Sequence, residues 1–282
     1  MTWWTKKTAS ASKSMSNNTL GKPFALGRTA EVYAWGDGHV LKLFRDRCPP
    51  TWIEHEVRVA RVVQTTGLPV PAVGDLIQVN GRRGIIYERV RGRSMLQTFL
   101  FQPWAMTRMA RQLAELHAAM HDLTAPDLPS QRQQLRGRIE RVSTLPADVR
   151  SAVLAALDQR PDGDRLCHND FHPDNVMMTA RGPIIIDWSD AMRGNPLADV
   201  ARTLLLFEVG TPPQPLLRIF IDLVRRQFRD VYLEHYFRLR PEGRDQLAAW
   251  RPIIAAARLI EDISGERERL IAQVRTCLSL RS

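Results

Sequence analysis

The spacing of apolar residues changes once along the chain, near Gly92, and this change restricts the fold more than any other feature. Between Pro23 and Gly92 most apolar residues alternate with polar ones, which is typical of half-buried strands. Beyond Pro103 the apolar residues recur at helical spacing over most of the chain. The sequence therefore predicts an α+β fold with two lobes: a small antiparallel β-sheet lobe with one helix, and a larger, mostly helical lobe.

The N-terminal lobe is predicted to contain three short strands, one helix and one hairpin. The segments "PFALG", "EVYAWG" and "HVLKLF" have the strand pattern. The helical segment "TWIEHEVRVARVVQTTG" is expected to be capped by Thr51 and ended by Gly67. The segment "DLIQVNGRRGIIYERV" predicts a hairpin that turns at Asn80 and Gly81.

The chain is expected to divide into a disordered leader over residues 1–19, the N-terminal lobe over residues 20–92 and the C-terminal lobe over residues 93–282. The leader is rich in Ser, Thr and Lys and lacks the apolar stretch of a secretory signal. In the C-terminal lobe one helix is predicted to open with Pro103, and two short helices to occupy residues 131–160. From Pro196 onward the pattern is helical, with breaks at "GTPPQP" and "RPEG".

Composition excludes several classes of protein. Hydrophobic residues make up 44% and charged residues 25%, as in ordinary globular proteins. No apolar run approaches the ~20 residues that cross a bilayer, so we expect no membrane partner. The net charge is +10, but the arginines are spread along the chain, so we expect a mildly basic surface and no nucleic-acid partner. The 3 scattered cysteines predict no disulfide framework and indicate the cytoplasm.

The stretch "RLCHNDFHPDNVMM", residues 165–178, places two histidines, two aspartates and two asparagines between apolar ends. A short strand, "VMM", follows it, and after "TARG" a second strand, "IIID", ends at Asp187. Strands joined in this way would set Asp187 beside the loop that carries Asp170 and Asn175. One carboxylate could act as a base, while an amide and a second carboxylate could hold a divalent cation. Phosphoryl transfer from a nucleotide needs this combination of groups.

The same segments resemble a known family. "HNDFHPDN" and "IIIDW" are similar to the His-x-Asp-x-x-x-x-Asn and Asp-Trp motifs of the aminoglycoside phosphotransferase and choline kinase superfamily. Its members are small-molecule kinases with a protein-kinase-like fold. "VLKLF", "IEHEVRVARVV", "LPVPAV" and "LAELHA" extend the resemblance over about residues 23–209. The resemblance implies ATP (or GTP) and Mg²⁺ as cofactors, and a small molecule with a hydroxyl group as the phosphate acceptor.

The resemblance also implies a role for each matching residue. Asp170 would be the catalytic base that aligns the substrate hydroxyl group. Asn175 and Asp187 would be ligands of Mg²⁺. Lys42 would contact the α- and β-phosphates, and Glu56 would hold that lysine in place. Glu54 is a competing partner for the lysine, two positions away on the same helix.

The other nucleotide-binding residues are expected in two segments. "ALGRTAEVYAW" has a single glycine rather than a G-x-G-x-x-G pattern, but its backbone amides could still cradle phosphates. "IIYERVRG" resembles the hinge, whose main chain would pair with adenine, with a tyrosine behind the ring. The residues concerned are Gly27, Arg28 and Thr29 in the loop, and Tyr87, Glu88 and Val90 in the hinge.

For six further polar residues the sequence indicates a structural role or leaves the role open. His168 is expected to be a scaffold of the loop, and the role of His172 is open. Asp190 either assists the metal indirectly or is a solvated carboxylate in a turn. The resemblance suggests that Asp199 ties down the catalytic loop. The spacing of His117 and His121, one helical turn apart, is expected to reflect packing and surface rather than zinc binding.

Three other functions have to be considered for such a sequence. A metal hydrolase could use His168, His172 and Asp170, although no H-E-x-x-H sequence is present. A protein kinase is disfavoured because the "HRD", "DFG" and "APE" signatures are missing. A non-catalytic, nucleotide-binding pseudokinase is disfavoured because the base, the metal ligands and the lysine are all present.

The acceptor and the oligomeric state stay open at this stage. Residues 200–282 are net basic, which argues against a dedicated aminoglycoside pocket. Four acidic residues of that segment could still cluster in space: Glu208, Glu234, Glu261 and Asp262. Antibiotics, amino alcohols, sugars and related metabolites are all candidate acceptors. We expect a monomer or a homodimer.

Overall fold

A computed structural model describes residues 20–27, 29–208, 215–263 and 265–278. The predicted leader, residues 1–19, lies outside the described residues. The described residues form two compact units: the residues up to Val57 together with Ala72–Arg89, and Arg58–Pro71 together with the residues from Val90 onward. The predicted division into lobes at residues 92 and 93 stays a prediction. No helix within the described ranges is both long enough and apolar enough to span a bilayer.

The first unit is built on an antiparallel sheet with the strand order β1-β2-β3-β5-β4. Its strands are β1 (Ala25–Leu26), β2 (Ala30–Trp35), β3 (His39–Phe44), β4 (Val73–Val79) and β5 (Arg82–Glu88). The predicted turn between β4 and β5 is confirmed, because both of its residues have positive φ angles: 49° at Asn80 and 80° at Gly81. This backbone conformation suits a two-residue hairpin turn.

Helix α1 (Pro50–Gln64) follows β3 and divides between the two units at Val57. The predicted cap at Thr51 is wrong, since the helix begins one residue earlier. Pro50 has no N–H to lose and its φ angle is fixed near the helical value, so it suits a first helical position. Helical hydrogen bonding ends at Gln64, and Gly67, with φ of 81°, lies three residues beyond.

Successive side chains of β3 point to opposite faces of the sheet and pack in two different apolar clusters. Leu41 and Leu43 are buried on one face of the sheet with Val79. Phe44 is buried on the other face with Ile53 and other apolar residues. Lys42, two residues before Phe44, therefore points to the face of the sheet that carries α1.

The second unit is mostly helical, and its described residues include two small antiparallel sheets, one of three strands and one of two. Its strands are β6 (Arg93–Ser94), β8 (Val176–Thr179) and β9 (Gly182–Ile185) in the larger sheet, and β7 (Arg165–Cys167) and β10 (Met192–Gly194) in the smaller. Its helices are α2 (Met95–Phe101), α3 (Met106–His121), α4 (Gln131–Arg141), α5 (Ala147–Asp158), α6 (Pro196–Glu208), α7 (Pro215–Leu239), α8 (Leu247–Arg258) and α9 (Arg267–Cys277). Short 3₁₀ turns occupy Pro103–Ala105, Pro173–Asn175, Trp188–Asp190, Arg244–Gln246 and Leu259–Glu261.

Helix α2 was missed by the sequence analysis, although a local signal was present. Ser94 accepts a hydrogen bond from the Gln97 amide at 3.1 Å, and the Gln97 side chain accepts one from the Ser94 amide at 3.3 Å. This reciprocal pair is a capping box, whose sequence form is S-x-x-Q before an apolar run. The helix predicted to open at Pro103 does so through a 3₁₀ turn, and α3 starts at Met106.

The polar stretch of residues 168–175 connects β7 to β8 and is anchored by apolar residues on both sides. Leu166, Phe171 and Val176 are completely buried in the main core of the second unit. Strands β8 and β9 then form the predicted hairpin, in which Val176 pairs with Ile185. Because β8 pairs with β9, the hairpin returns the chain from Asn175 to Ile186, the residue before Asp187.

Candidate active site

In the first unit, Lys42 forms an ion pair with Glu56. The Lys42 Nζ lies 2.7 Å from Glu56 Oε1, and both side chains are largely buried. The Tyr87 hydroxyl donates to the same oxygen at 3.1 Å. The competing residue Glu54 pairs instead with Arg83 at 2.8 Å on the exposed side of the helix. Glu56 is therefore the partner that holds the lysine.

The loop between β1 and β2 is a tight turn. The Gly27 amide donates to Ala30 O at 2.8 Å, and a Cβ atom at Gly27 would lie 3.1 Å from that oxygen. The Gly27 amide is thus already engaged within the turn, while Thr29 O accepts from the Arg45 amide at 2.9 Å. Arg28 lies outside the described residues. The phosphate contacts predicted for this loop stay predictions.

The predicted hinge begins at the end of β5. The Glu88 amide donates to Ala72 O at 2.8 Å, so a main-chain contact of Glu88 with adenine would have to use its carbonyl oxygen. Tyr87 is bound to Glu56 through its hydroxyl group. Val90 is half-buried in the second unit. The role of these residues in adenine binding stays a prediction.

In the second unit, Asp199 on α6 holds the start of the polar loop, residues 168–175. Its Oδ2 accepts from the His168 amide at 2.6 Å and its Oδ1 from the Asn169 amide at 2.8 Å. The side chain is completely buried, and Asn169 has a positive φ of 62°. Asp199 thus ties down the loop, as the resemblance suggested. Its carboxylate accepts hydrogen bonds from two buried main-chain amides, which in a regular strand or helix would bind carbonyl oxygens.

The same carboxylate is approached from α3 by two buried histidines. The Nε2 atoms of His117 and His121 lie 3.2 and 3.3 Å from Asp199 Oδ2. Their Nδ1 atoms lie 2.7 Å from the hydroxyl groups of Tyr232 and Tyr236, respectively, on α7. The expectation that this histidine pair lies partly at the surface is wrong, since both side chains are completely buried.

The charges of this buried group follow from its surroundings. Burial, assisted by the neighbouring His117, lowers the pKa of His121 to about 3, so the ring is neutral. Burial alone would raise the pKa of Asp199, but electrostatic attraction and hydrogen bonds from the two histidines lower it, so the carboxyl group is ionised. The neutral His121 ring donates from Nε2 to Asp199 and accepts at Nδ1 from the Tyr236 hydroxyl group. The three side chains could also approach a metal ion, but the hydrogen bonds already satisfy their ligand atoms.

Asp170 follows two residues after His168 and is the carboxylate at the centre of the loop. The Asn175 Nδ2 donates to Asp170 Oδ2 at 3.2 Å and to Asp170 O at 2.9 Å. His172 Nε2 lies 3.6 Å from Oδ2, and Arg202 Nη2 lies 3.9 Å from Oδ1. The side chain keeps 30% of its surface exposed, which leaves room for a reacting group.

Asp170 stays ionised in these surroundings. Burial by itself would raise the pKa of its carboxyl group, but His172, and then Arg202, bring the pKa down to about 2. The Asp174 amide donates to His172 Nδ1 at 3.3 Å, which leaves Nε2 as the ring nitrogen that faces Asp170. His172 was left open by the sequence analysis, and the structure places it against the predicted base.

Asp187 is brought to the same place by the β8–β9 hairpin. The Ile186 amide donates to Asn175 O at 2.9 Å, which joins the residue before Asp187 to Asn175. Asp187 has left-handed angles, φ 60° and ψ 62°, and the Ser189 hydroxyl donates to its Oδ1 at 3.1 Å. A non-glycine residue in this conformation is strained, and such strain is found most often at functional sites.

His168 braces the loop between these carboxylates. Its Nδ1 accepts from the Asp170 amide at 3.3 Å, and its Nε2 donates to Ile186 O at 3.1 Å. Burial lowers the pKa of His168, so the ring is neutral and both nitrogens are used by the backbone. This agrees with the scaffold role and argues against the hydrolase interpretation, in which His168 would be a metal ligand.

Two arginines near the loop were missed by the sequence analysis. Arg202 Nε donates to Asn169 O at 3.2 Å, and its guanidinium group lies beside Asp170. It stands three residues after Asp199 on α6, a spacing that places both side chains on one helix face and could have identified it. Arg138 on α4 pairs with Asp190 at 2.9 Å, so Asp190 is an ion-paired carboxylate and not simply a solvated one.

The oxygen atoms of Asn175 and Asp187 are suited to a hard cation. Because the Asn175 Nδ2 is used by Asp170, its Oδ1 is the atom that could bind a metal, and Asp187 adds a carboxylate. Mg²⁺ prefers one or two such oxygen ligands together with phosphate oxygens and water. These residues therefore fit the implied cofactor.

Comparison with protein families identifies the chain. Residues 21–250 match the model of the family described as "Phosphotransferase enzyme family". A search of curated protein sequences found no match.

Similar folds occur among solved structures. A thermostable mutant of an aminoglycoside phosphotransferase, in ternary complex with AMP-PNP and hygromycin B, has a TM-score of 0.62 at 18% identity, with 92% of this chain and 91% of that chain covered. A choline/ethanolamine kinase family protein from Mesorhizobium loti has a TM-score of 0.60 at 18% identity, covering 94% and 89%. Amicoumacin kinase hAmiN, with AMP-PNP, Ca²⁺ and Ami, has a TM-score of 0.59 at 16% identity, covering 90% and 86%. At these identities the similarity to solved structures establishes the fold alone, and it confirms the predicted α+β fold. The match to the family model confirms the predicted family.

Proposed function

Since the chain belongs to the phosphotransferase enzyme family, we propose that it transfers the γ-phosphoryl group of ATP to a hydroxyl group of a small molecule. The observation that supports this most directly is the setting of Asp170. Its carboxylate is partly exposed, is kept ionised with a pKa of about 2, and is bonded to Asn175. Asn175 in turn is joined through its main chain to the residue before Asp187.

Asp170 aligns the acceptor. Its ionised carboxylate accepts a hydrogen bond from the acceptor hydroxyl group and directs the oxygen at the γ-phosphorus atom. As the new O–P bond forms and the bond to the β-phosphate oxygen breaks, the hydroxyl proton passes to Asp170 and ADP leaves. A carboxylate with a pKa of about 2 is a weak base, so its main contribution is alignment. The loose transition state of phosphoryl transfer requires little proton abstraction before the bond forms.

Positive charge for the phosphates comes from two sources. Lys42, held by Glu56 at 2.7 Å, would contact the α- and β-phosphates. Asn175 Oδ1 and the Asp187 carboxylate would hold Mg²⁺, which neutralises phosphate charge when bound. ATP, or GTP, is available in the cytoplasm, where we propose that the protein acts.

The test is acceptor-dependent release of ADP, with ³¹P detection of the phosphorylated product. The acceptor panel comprises aminoglycosides, macrolides, choline-like amino alcohols, sugars and homoserine. We expect one class to be phosphorylated. With that acceptor, Asp170→Asn should lower turnover by on the order of 10²-fold or more, while the Kd for ATP changes by less than about twofold.

The matched control is Asp164→Asn, which removes the same charge from an exposed side chain paired with its neighbour Arg165. This variant should keep wild-type turnover. Wild-type turnover in Asp170→Asn would remove the role of Asp170 as base. ATP binding without phosphate transfer to any acceptor would instead support the pseudokinase interpretation.

A further inference from the structure

We propose that the surface formed by α2 and the start of α3 binds the headgroups of anionic lipids at the face of a bilayer. This surface, termed the α2–α3 surface, combines exposed apolar side chains with exposed arginines: Leu100, Phe101, Trp104, Arg93, Arg108 and Arg111. Such binding would decide where the protein acts, and it is independent of the reaction proposed above.

The apolar part of this surface is a group of adjacent side chains. Leu100 keeps 70%, Phe101 64% and Trp104 80% of its surface exposed. Leu100 and Phe101 end α2, and Trp104 lies in the 3₁₀ turn that follows two residues later. The Ala105 amide donates to Gln102 O at 2.9 Å, so the connection between the two elements is a compact bend. Single exposed apolar side chains are common on protein surfaces, whereas adjacent ones mark interaction sites.

The other side of α2 packs in the core of the second unit. Met95 is completely buried, and the Phe99 ring meets the edge of Phe228 on α7, with ring centroids 6.5 Å apart. Leu96 and Leu100, four residues apart, share a different face of the helix, and both are exposed. Helix α2 therefore has apolar side chains on two faces, and among the described residues only one face is covered.

The charge of this part of the chain is entirely positive. From Val90 to Ala114 the sequence contains four arginines and no Asp or Glu. All four are exposed: Arg91, Arg93, Arg108 and Arg111. Positive charge is thus concentrated on the segment that also exposes the apolar group.

The arginines lie beside the apolar side chains. The Arg93 guanidinium group lies over the Phe101 ring, 4.5 Å from its centroid. Trp104, Arg108 and Arg111 follow one another at spacings of four and three residues, which places them on one side of the helical segment. The apolar and charged side chains therefore form one surface.

Acidic residues of the neighbouring elements do not cancel this charge. The elements that pack most closely on α2 carry two: Asp174, which accepts from the Ser94 hydroxyl group at 2.6 Å, and Glu115 on α3. Counted against the four arginines, they leave the surface net positive. The acidic residues of α7 each lie within 4.0 Å of an arginine of that helix: Asp222, Asp230 and Glu234.

An anionic bilayer face matches both properties of the surface. Trp, Phe and Leu side chains enter the boundary between headgroups and acyl chains, while arginines bind the anionic headgroups. A second copy of the chain fits less well, because a symmetric dimer through this surface would bring the same arginines together. The expectation of no membrane partner rested on the lack of a spanning segment, which a protein lying on a bilayer does not need.

The test is co-sedimentation of the full chain with vesicles of phosphatidylcholine alone, or of an equimolar mixture of phosphatidylcholine and phosphatidylserine. One variant is Trp104→Ser, and its matched control is Trp52→Ser, which replaces an exposed tryptophan on α1. The second variant joins Arg108→Gln to Arg111→Gln. Its control makes the same change at two exposed arginines of α1 that are also three residues apart, Arg58 and Arg61.

We expect wild type to bind the mixed vesicles at least about tenfold more tightly than vesicles of phosphatidylcholine alone, with binding lost at high salt. Removing both arginines should lower the partition coefficient by roughly 20- to 30-fold, about fivefold for each. Trp104→Ser should lower it by about tenfold or more. Both controls should bind like wild type, and because every changed side chain is exposed, each Tm should stay within about 3 °C of wild type.

Three results would overturn the inference. The first is a wild-type protein that does not bind the mixed vesicles, or that binds both kinds of vesicle equally. The second is a loss of binding in the controls as large as in the matched variants. The third is a dimer, detected by analytical ultracentrifugation, that Trp104→Ser dissociates while vesicles are not bound, since a second copy would then occupy the surface. Each result is obtained without knowledge of the phosphate acceptor.

Discussion

Replacing Asp199 by Asn tests the buried group beneath the catalytic loop. The carboxylate accepts four hydrogen bonds, from the amides of His168 and Asn169 and from the Nε2 atoms of His117 and His121. An asparagine of the same shape has one acceptor oxygen and one NH₂ group. Whichever way the amide is turned, its NH₂ group faces at least one N–H donor of the protein.

The expected loss of stability is large. A hydrogen bond to a charged group contributes about 1.5–3 kcal/mol, and leaving buried donors without acceptors costs about 1–3 kcal/mol more. Asp199→Asn should therefore lower the free energy of unfolding by roughly 3–6 kcal/mol, against a typical total of about 5–15 kcal/mol. At about 2–4 °C for each kcal/mol, the Tm should fall by about 6–24 °C.

Differential scanning calorimetry measures the change, with Asp230→Asn as the control. Asp230 is exposed and pairs with its neighbour Arg229, so its replacement should alter stability by less than about 0.5 kcal/mol. Any folded Asp199→Asn protein should also lose turnover more than nucleotide affinity, because the loop that carries Asp170 is no longer anchored. A Tm within 2 °C of wild type would refute the reasoning.

Three further predictions concern the nucleotide, the metal and pH. Glu56→Gln should weaken binding of MgATP by about tenfold because Lys42 loses a largely buried charged partner. Glu54→Gln, at an exposed pair, should change that binding by less than about threefold; equal effects in a fluorescent-ATP titration would contradict the assignment. Asp187→Ala should abolish the tightening of ADP binding by Mg²⁺, and calorimetry that shows the same Mg²⁺ effect in both proteins would exclude Asp187 as a ligand. The pKa of Asp170 is lowered to about 2, so its carboxyl group should remain ionised from pH 9 down to pH 5. Its contribution to the free energy of unfolding should be lost only as the pH falls from about 4, its ordinary pKa, to about 2. A decrease of kcat/KM on acidification that begins above pH 5 and disappears in Asp170→Asn would disprove this.

Some errors of the sequence analysis were local and avoidable. The capping box at Ser94 identifies α2, and the N-terminal preference of proline identifies the start of α1 at Pro50. Arg202 could have been noticed because it stands one helical turn after Asp199. In each case the signal lies within four residues and acts through hydrogen bonds or helix periodicity that need no tertiary contact.

The sequence by itself determined the relative positions of side chains that lie close together in the chain. Asp170 and Asn175 are five residues apart in one loop, and a tight hairpin returns the chain to Asp187. Local hydrogen bonds and strand pairing bring these three residues together, so their spacing alone predicts the cluster. The face of β3 on which Lys42 lies also follows from strand alternation.

The tertiary structure decided the partners that lie far apart in the chain. Helical periodicity allowed either Glu54 or Glu56 to approach Lys42, and only the packing of α1 on the sheet selected Glu56. The histidines at positions 117 and 121 are buried because Tyr232 and Tyr236 satisfy them from α7, more than a hundred residues away. Whether a carboxylate such as Glu261 presents its charge or is neutralised depends on which guanidinium group the fold brings within hydrogen-bonding distance, and sequence spacing does not contain that information.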